Sequence, residues 1–311
     1  KTRLAEAVGV VSEQAYELRG GKPVLVSLAR AGVPIGVLMK RYLKTVKNYN
    51  APHYAISIVR GKGIDYNALD YIVGKHDPAN VIFVDGWTGK GAITHELAEA
   101  LNEYHARSGI RLSPELAVLA DPGSCVSVFG TRDDYLIPSA CLNSTVSGLI
   151  SRTVLNEEFI QVDEGDYHGA KFYKEFAEND LSNYFIEVIQ EELSSIDTED
   201  VRLQAYAFLE ADTTPTWDGW KKVEEISEEY GIHNVNLVKP GVGETTRVLL
   251  RRVPWKILVR PSDKANLKHI LMLADERGVT VEEREDLPYA CMGLIHPNYT
   301  KGATGFDGGV V

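Results

Sequence analysis

The sequence predicts an α/β fold: a parallel sheet covered by helices on both faces, then an acidic helical segment and a small C-terminal α/β domain. Three observations support this prediction. Short apolar runs alternate with segments of helical periodicity, and such runs are typical of strands buried on both faces. Residues 156–230 contain 21 acidic and 5 basic side chains in a helical pattern. After residue 231 the chain returns to alternating strands and helices.

The first half of the chain predicts three helices between short strands. The first helix, over residues 3–19, ends before Gly20 and Gly21, because glycine commonly follows the last turn of a helix. The other two helices are predicted over residues 34–46 and 92–107. The predicted strands are residues 23–28, 54–59, 81–84, 116–120 and 135–137.

The second half predicts an acidic helical segment and a second, smaller sheet. Two helices, over residues 170–192 and 217–230, flank a turn-rich break at residues 212–215. We therefore place a first domain at residues 1–213, including most of the acidic segment, and a second domain at residues 214–311. The later strands are residues 235–238, 256–260, 279–283 and 291–295, and the later helices are residues 245–252 and 263–277.

The composition excludes several classes of protein. A formal net charge of −11 over 311 residues excludes a uniformly basic nucleic-acid or membrane-surface protein. The three cysteines lie far apart, which predicts free thiols in a reducing compartment rather than disulfides. No apolar stretch approaches the ~20 residues that span a bilayer, and no signal peptide is recognisable. We expect a cytoplasmic protein without a membrane partner, and a homo-oligomer stays open.

The most informative segment is the loop after the predicted strand 81–84. Asp85 stands at the carboxyl end of that strand, and the small residues Thr88, Gly89, Lys90 and Gly91 lead into a helix. Glycines let backbone N–H groups approach a phosphate, and the helix N-terminus adds partial positive charge. An ionised carboxylate accepts hydrogen bonds from ribose hydroxyls. The pattern predicts a ribose 5-phosphate site, and the alternative is a tight turn without a ligand.

Two further loops leave strand ends of the same predicted sheet. In one, Ala29, Arg30, Ala31 and Gly32 place a cation in a small-residue turn, which suits a diphosphate. In the other, residues 60–63 carry two cations and two glycines, which favours a mobile loop over an anion. Because ligands of open parallel sheets bind at the carboxyl ends of the strands, we expect the three loops to converge.

These three loops resemble the active-site loops of type I phosphoribosyltransferases, over roughly residues 20–155. The resemblance implies a type I phosphoribosyltransferase-like fold. It also implies a glycosyltransferase that uses phosphoribosyl pyrophosphate and Mg²⁺ to transfer ribose 5-phosphate to an unknown acceptor. It further implies catalytic roles for Asp85, Arg60 and Lys62, with Asp85 also serving Mg²⁺, and substrate binding by residues 29–32 and 88–91. Where the family usually has a second acid, this chain has Gly86. A non-catalytic phosphoribosyl-ligand sensor is therefore an alternative.

A basic cluster interrupts the acidic chain near its C-terminal end. Residues 245–270 carry seven cations and one acid, with Trp255 among them. Cations beside an aromatic ring suit RNA phosphates and bases, whereas the alternative is a solvated surface or pairing with the acidic segment. The side chains from which we expect RNA contacts are Arg247, Arg251, Arg252, Lys256 and Arg260.

Residues 237–259, the predicted helix 263–277 and residues 286–297 together resemble the small Pelota-type RNA-binding domain found behind such transferases in bacteria. The whole chain is thereby similar to a bacterial family of tellurium-resistance and stress gene clusters, whose members also carry the label cysteine protease StiP. A thiol protease needs a Cys–His pair, so this alternative stays open. The candidate residues are Cys125, Cys141 and Cys291, with His95, His168 or His296.

Overall fold

The computed structural model describes residues 1–141, 144–155, 163 and 165–296, without the side chains of residues 140, 141 and 152. The α-helices in this part are α1 Thr2–Leu18, α2 Gly32–Val46, α3 Tyr66–Val73, α4 Ala92–Ser108, α5 Ser144–Ser147, α6 Ser182–Leu193, α7 Thr198–Glu210, α8 Asp218–Glu229, α9 Val242–Arg251 and α10 Lys268–Glu276. Short 3-10 helices are Pro78–Asn80, Pro138–Cys141, Lys174–Asn179, Val235–Leu237 and Pro261–Asn266.

The strands form one five-stranded sheet, one four-stranded sheet and two small ribbons. They are β1 Val24–Leu28, β2 His53–Ile56, β3 Ile58–Val59, β4 Gly63–Ile64, β5 Val81–Trp87, β6 Leu116–Ala120, β7 Val128–Thr131, β8 Ile150–Val154, β9 Gly169–Phe172, β10 Val238–Pro240, β11 Pro254–Val259, β12 Thr280–Glu283 and β13 Cys291–Ile295.

The five-stranded sheet has the order β2-β1-β5-β6-β7, and all its neighbours are parallel. Successive side chains of a strand point to opposite faces, which divides the core in two. Leu25 and Ile82 join a cluster with α1, α2, α6 and α7, whereas Val26 and Phe83 join a cluster with α3 and α4. The predicted α/β fold with a helix-covered parallel sheet is therefore confirmed.

The four-stranded sheet has the order β10-β13-β11-β12, in which only β11 and β12 are parallel. Val223 and Ile226 of α8 pack on one face, and Leu249 of α9 and Ile270 of α10 pack on the other. We call residues 1–211 the N-terminal unit and residues 217–296 the C-terminal unit, because their cores are built from separate helices and sheets.

The structure differs from the sequence prediction at several places. Residues 135–137 form no strand, and Ile137 is apolar because it is buried in the core. The fifth strand is β7, which contains Gly130. The helix predicted over residues 170–192 begins only at Ser182, because residues 169–172 form β9 instead. The helix α7 was not predicted; Asp197 caps it by accepting from two backbone N–H groups.

No helix among the described residues is both long and apolar enough to cross a membrane.

Gly130 permits the close packing of α1 against β7, and this contact sets a stability prediction. A Cβ atom at Gly130 would lie 2.3 Å from the Ala7 carbonyl oxygen and 2.8 Å from that of Leu119. We expect Gly130→Ala to lower the free energy of unfolding by about 1–3 kcal/mol in urea denaturation. Gly74→Ala is the control, since Gly74 has helical angles of φ −69° and ψ −15°. Equal losses for both variants would contradict the packing argument.

Candidate functional site

The loop after β5 is tied to the protein on both sides. The Thr88 hydroxyl donates to buried Asp121, and the Gly89 carbonyl accepts from the Tyr289 hydroxyl at 2.8 Å. The Lys90 ammonium donates to the Val235 carbonyl at 2.8 Å. Tyr289 and Val235 belong to the C-terminal unit. The loop for which the sequence predicts phosphate binding therefore holds that unit through hydrogen bonds.

The glycines of this loop make room for aromatic rings. A Cβ atom at Gly89 would lie 2.8 Å from the Trp87 ring, and one at Gly91 would lie 2.4 Å from the Trp217 ring. Gly91 also has φ +79°, a conformation that L-residues rarely adopt. These two packing requirements account for the glycine pattern without a phosphate. Phosphate binding by residues 88–91 stays a prediction.

Asp85 lies within β5, beside a position that admits no side chain. Its carboxylate accepts from the backbone N–H of Gly86 at 2.7 Å. A Cβ atom at Gly86 would lie 2.8 Å from the Ala31 carbonyl oxygen, so a second acid cannot stand there without moving the loop after β1. The close approach of these two loops therefore explains why the chain departs from the transferase pattern at this residue.

The other two predicted loops also have structural partners. Arg30 is nearly buried and donates to the Ile150 carbonyl of β8 at 2.8 Å. Residues 60–62 form the turn of the β3–β4 hairpin, and Glu96 of α4 accepts from the backbone N–H groups of Gly61 and Gly63. Lys62 reaches the Leu155 carbonyl at 3.5 Å. The hairpin is thus anchored to α4 at its tip.

The three loops converge on one pocket of about 230 Å³ between the two units. The C-terminal unit contributes Lys239 and Glu244 to its wall. Burial, together with the charges of Lys239 and Arg60, lowers the pKa of Lys90 to about 8. The predicted residues that line the pocket are Ala29, Arg30, Ala31, Arg60, Asp85, Thr88, Gly89, Lys90 and Gly91, whereas Gly32 and Lys62 do not line it.

No group of three or more His, Cys, Asp or Glu side chains within the described ranges is arranged to hold a metal ion. Magnesium at Asp85 stays a prediction.

Most of the basic cluster in the C-terminal unit is paired with acids. Arg247 pairs with Glu244, Lys256 with Glu282, and Arg260 with Asp263. Arg251, at the end of α9, is exposed and has no salt-bridge partner among the described residues. Of the five cations predicted to contact RNA, Arg251 is therefore the one whose charge is most accessible to a ligand.

Two of the three cysteines are buried thiols. Cys125 lies under the loop after β5, and Cys291 lies in the sheet of the C-terminal unit. Burial raises the pKa of both thiols, so neither forms a thiolate readily near neutral pH. The side chain of Cys141 lies outside the described part of the structure.

His95 and His296 pack against rings. The His95 imidazole stacks on Trp217 with ring centroids 4.3 Å apart, and His296 lies edge-on to Trp255 at 5.1 Å. Neither forms a hydrogen bond with the thiol of Cys125 or Cys291 among the described residues. The two buried cysteines therefore do not form the Cys–His pair that a thiol protease needs.

His168 stands in a different setting, at a cleft between β2 and the β8–β9 ribbon. Its Nδ1 atom is 2.8 Å from the Ser57 hydroxyl, which also bonds the Thr153 hydroxyl. Its backbone N–H donates to Asp65 at 2.7 Å. Burial lowers the pKa of the imidazole, against the opposing charge of Asp65. Ser57 and Thr153 were not predicted, because nothing local in the sequence connects β2 with β8.

Asp134 joins the two units from within their interface. Its buried carboxylate accepts from the N–H of Val242, at the start of α9, at 3.0 Å and from the N–H of Ala290 at 2.9 Å. Burial raises the pKa of Asp134 to about 6, although these backbone N–H groups lower it. The local sequence around Asp134 does not indicate this role, because its partners lie in the other unit.

Comparisons with known proteins assign both units. Residues 1–190 match the profile of the family described as tellurite-like stress resistance cysteine protease StiP. Residues 217–297 match the profile of the PELOTA RNA binding domain. One curated relative, the cysteine protease StiP of Acinetobacter baylyi (strain ATCC 33305 / BD413 / ADP1), is 35% identical over 302 residues. That alignment covers 94% of this chain and 77% of the relative.

These matches correct the predicted activity. The family and the relative carry a cysteine protease name, so the prediction of a phosphoribosyltransferase acting on phosphoribosyl pyrophosphate with Mg²⁺ is wrong, and so is the glycosyltransferase class. The predicted resemblances to the StiP family and to a Pelota domain are confirmed.

The carboxylate of Asp134 sets a prediction for the interface. We expect Asp134→Asn to lower the free energy of unfolding by about 1–3 kcal/mol at pH 7, because an amide cannot accept on both sides of the carboxylate. The native pKa, about 6, lies above the ordinary 3.8, so the native state holds this proton longer than the unfolded state. The advantage of native protein over the variant should therefore shrink as the pH rises from 4 to 6.

Chemical denaturation at several pH values measures this advantage. The control is Asp133→Asn, because the neighbouring Asp133 is exposed and pairs with Arg3 at the surface. A pH-independent difference between native protein and Asp134→Asn would contradict the assignment.

Proposed function

Because the chain belongs to the family of tellurite-like stress resistance cysteine proteases StiP, we propose that it is a thiol protease that acts at the cleft between β2 and the β8–β9 ribbon. One observation supports this location of the active site. The His168 imidazole is held at Nδ1 by Ser57, and its Nε2 atom forms no hydrogen bond among the described residues. An imidazole fixed on one side and open on the other suits a general base.

We assign the nucleophile to Cys141. The chain has three cysteines, and burial raises the thiol pKa of Cys125 and Cys291. Cys141 ends the 3-10 helix Pro138–Cys141, a few residues before β8 forms one wall of the cleft. Cys141 thus precedes β8 by nine residues, and β8 also carries Thr153, a partner of Ser57.

The chemistry follows from a neutral imidazole. The lowered pKa of His168 keeps Nε2 unprotonated at neutral pH, so it can take the proton of the thiol. The thiolate then attacks the scissile carbonyl carbon, and the imidazolium returns the proton to the leaving amine. Water attacks the resulting thioester with His168 again as base, which releases the acid and restores the thiol. Ser57 orients the ring by accepting from Nδ1–H, while it donates to Thr153.

We expect Cys141→Ala to lower kcat/KM for fluorescein-labelled casein by about 10³-fold or more, because it removes the nucleophile. We expect His168→Gln to lower it by about 10²–10⁴-fold, because it removes the general base. For the native protein, the acid limb of kcat/KM against pH should have its midpoint below 6.5, since burial lowers the pKa of His168.

Matched variants keep this assignment testable. Cys125→Ala and Cys291→Ala remove the buried thiols, and His95→Gln removes the imidazole that stacks on Trp217. All three should retain activity when circular dichroism shows a native fold. Full activity of Cys141→Ala, or loss of activity only with Cys125→Ala, would refute the assignment.

For the C-terminal unit, we propose that residues 217–297 bind RNA. The match to the PELOTA RNA binding domain supports this proposal, together with exposed Arg251 at the end of α9. Because Arg247, Lys256 and Arg260 are paired with acids, binding through them requires the salt bridges to rearrange. We therefore assign the main phosphate contact to Arg251.

We expect Arg251→Ala to weaken binding of single-stranded RNA to the full chain. The slope of log affinity against log salt concentration should fall by about 1, as expected when one phosphate contact is lost. Electrophoretic shift or fluorescence anisotropy at several salt concentrations measures both quantities. Lys44→Ala is the control, since Lys44 is an exposed cation on α2 of the other unit. Equal affinities for both variants would exclude Arg251 from the contact.

For the fold alone, we propose that the sheet of the N-terminal unit has type I phosphoribosyltransferase-like topology. Its support is the order of strands and loops over residues 24–131. This proposal concerns descent and architecture and assigns no transferase activity, since one fold hosts many chemistries.

A further inference from the structure

The main sheet has an open edge at β2. Strand β2 is the outermost strand of the sheet and pairs only with β1 among the described residues. The Ile56 carbonyl accepts from the N–H of Ala29, so Ile56 turns its backbone groups towards β1. Successive residues of a strand turn these groups to opposite sides. Ala55 therefore turns its N–H and C=O away from the sheet, and its small side chain is exposed.

This open edge borders a cleft of about 350 Å³. The wall opposite β2 is made by β8 and the start of β9, and α3 contributes Ala68 and Ile72. At the carboxyl end of β2, the hydrogen bonds of Ser57 to Thr153 and His168 close the cleft. The cleft thus runs along an unpaired strand edge and ends at the imidazole assigned as the general base.

The lining of the cleft indicates what it holds. Tyr71 is 46% exposed and Tyr167 is 55% exposed, so two large rings face solvent at the cleft. No lysine or arginine stands among the described lining residues, and the acid Asp65 is buried and bonded to backbone N–H groups. The described lining residues offer an anion no countercharge, whereas they offer a main chain with apolar side chains both hydrogen-bonding partners and ring surfaces.

We propose that an extended segment of the polypeptide substrate pairs with the edge of β2, with the N–H and C=O of Ala55 as its docking points. Strand β2 has four residues, so the paired segment spans about 13 Å at ~3.3 Å per residue. This pairing presents the segment to His168 in an extended form. The inference rests on the proposed protease function in one respect only, which is the hydrolysis of the bound segment. Binding of the segment to β2 does not require hydrolysis.

Fluorescein-labelled, dephosphorylated β-casein is the probe, because it is an unfolded polypeptide without added phosphate charge. Its affinity for the full chain carrying Cys141→Ala is measured by anisotropy, alone and combined with Ala55→Pro or Ala55→Val. Proline removes the outward N–H of Ala55, and proline is tolerated at such edge positions. Valine keeps that N–H and favours the strand. We expect the proline variant to bind casein about tenfold more weakly than the valine variant.

Hydrogen exchange provides a second measurement that needs no change in β2. The amides of residues 53–57 in the Cys141→Ala chain should exchange more slowly when casein is bound. Failure to bind casein, equal binding by the proline and valine variants, or unchanged exchange in residues 53–57 would each overturn the inference. Dimerisation of the chain that Ala55→Pro abolishes would also overturn it, because the edge would then serve a second copy.

The inference and the proposed function fail in different ways. Hydrolysis by the otherwise native chain that is insensitive to Ala55→Pro would remove the edge as the docking site and leave the protease assignment intact. Casein binding that depends on Ala55, without hydrolysis by the native chain, would keep the docking site and remove the protease assignment.

Discussion

The buried carboxylate of Asp134 is the interaction on which the arrangement of the two units depends. It satisfies the first N–H of α9 and the N–H of Ala290 at once, groups that would otherwise be buried without partners. Around it, Tyr289 and Lys90 add hydrogen bonds across the same interface. A single side chain from the N-terminal unit thereby fixes both a helix start and a strand start of the C-terminal unit.

This interface changes the meaning of a glycine-rich loop at a strand end. Such a loop usually suggests a bound phosphate, because its backbone can come close to a ligand. Here the backbone of Gly89 and Gly91 comes close to Trp87, Trp217 and Tyr289 instead. A glycine leaves space that either a ligand or an aromatic ring of the protein can fill. A glycine-rich loop pattern alone therefore does not distinguish a small-molecule site from a surface that packs against a second domain.

Much of the fold was predictable because its signals are local. Strands β1, β5 and β6 contain continuous apolar runs, and α1 and α4 end at glycines. The β8–β9 ribbon was not predictable, because β9 begins a stretch with helical periodicity. The candidate active site depends on a contact between Ser57 and His168, which are 111 residues apart. Convergence of three loops was predictable from topology, but the chemistry of a distant Ser–His pair was not.

The interface between the two units also constrains the order in which the chain folds. All five strands of the main sheet are synthesised by Thr131, whereas Ala290 follows Asp134 by 156 residues. During synthesis the sheet can form long before Tyr289 leaves the ribosome, since domains generally fold as units and the N-terminal one first. Until then Asp134 lacks the two backbone N–H groups from which its carboxylate accepts in the complete protein. Burial of the Asp134 carboxylate is therefore a late step of folding, which accompanies the packing of the C-terminal unit against the N-terminal unit.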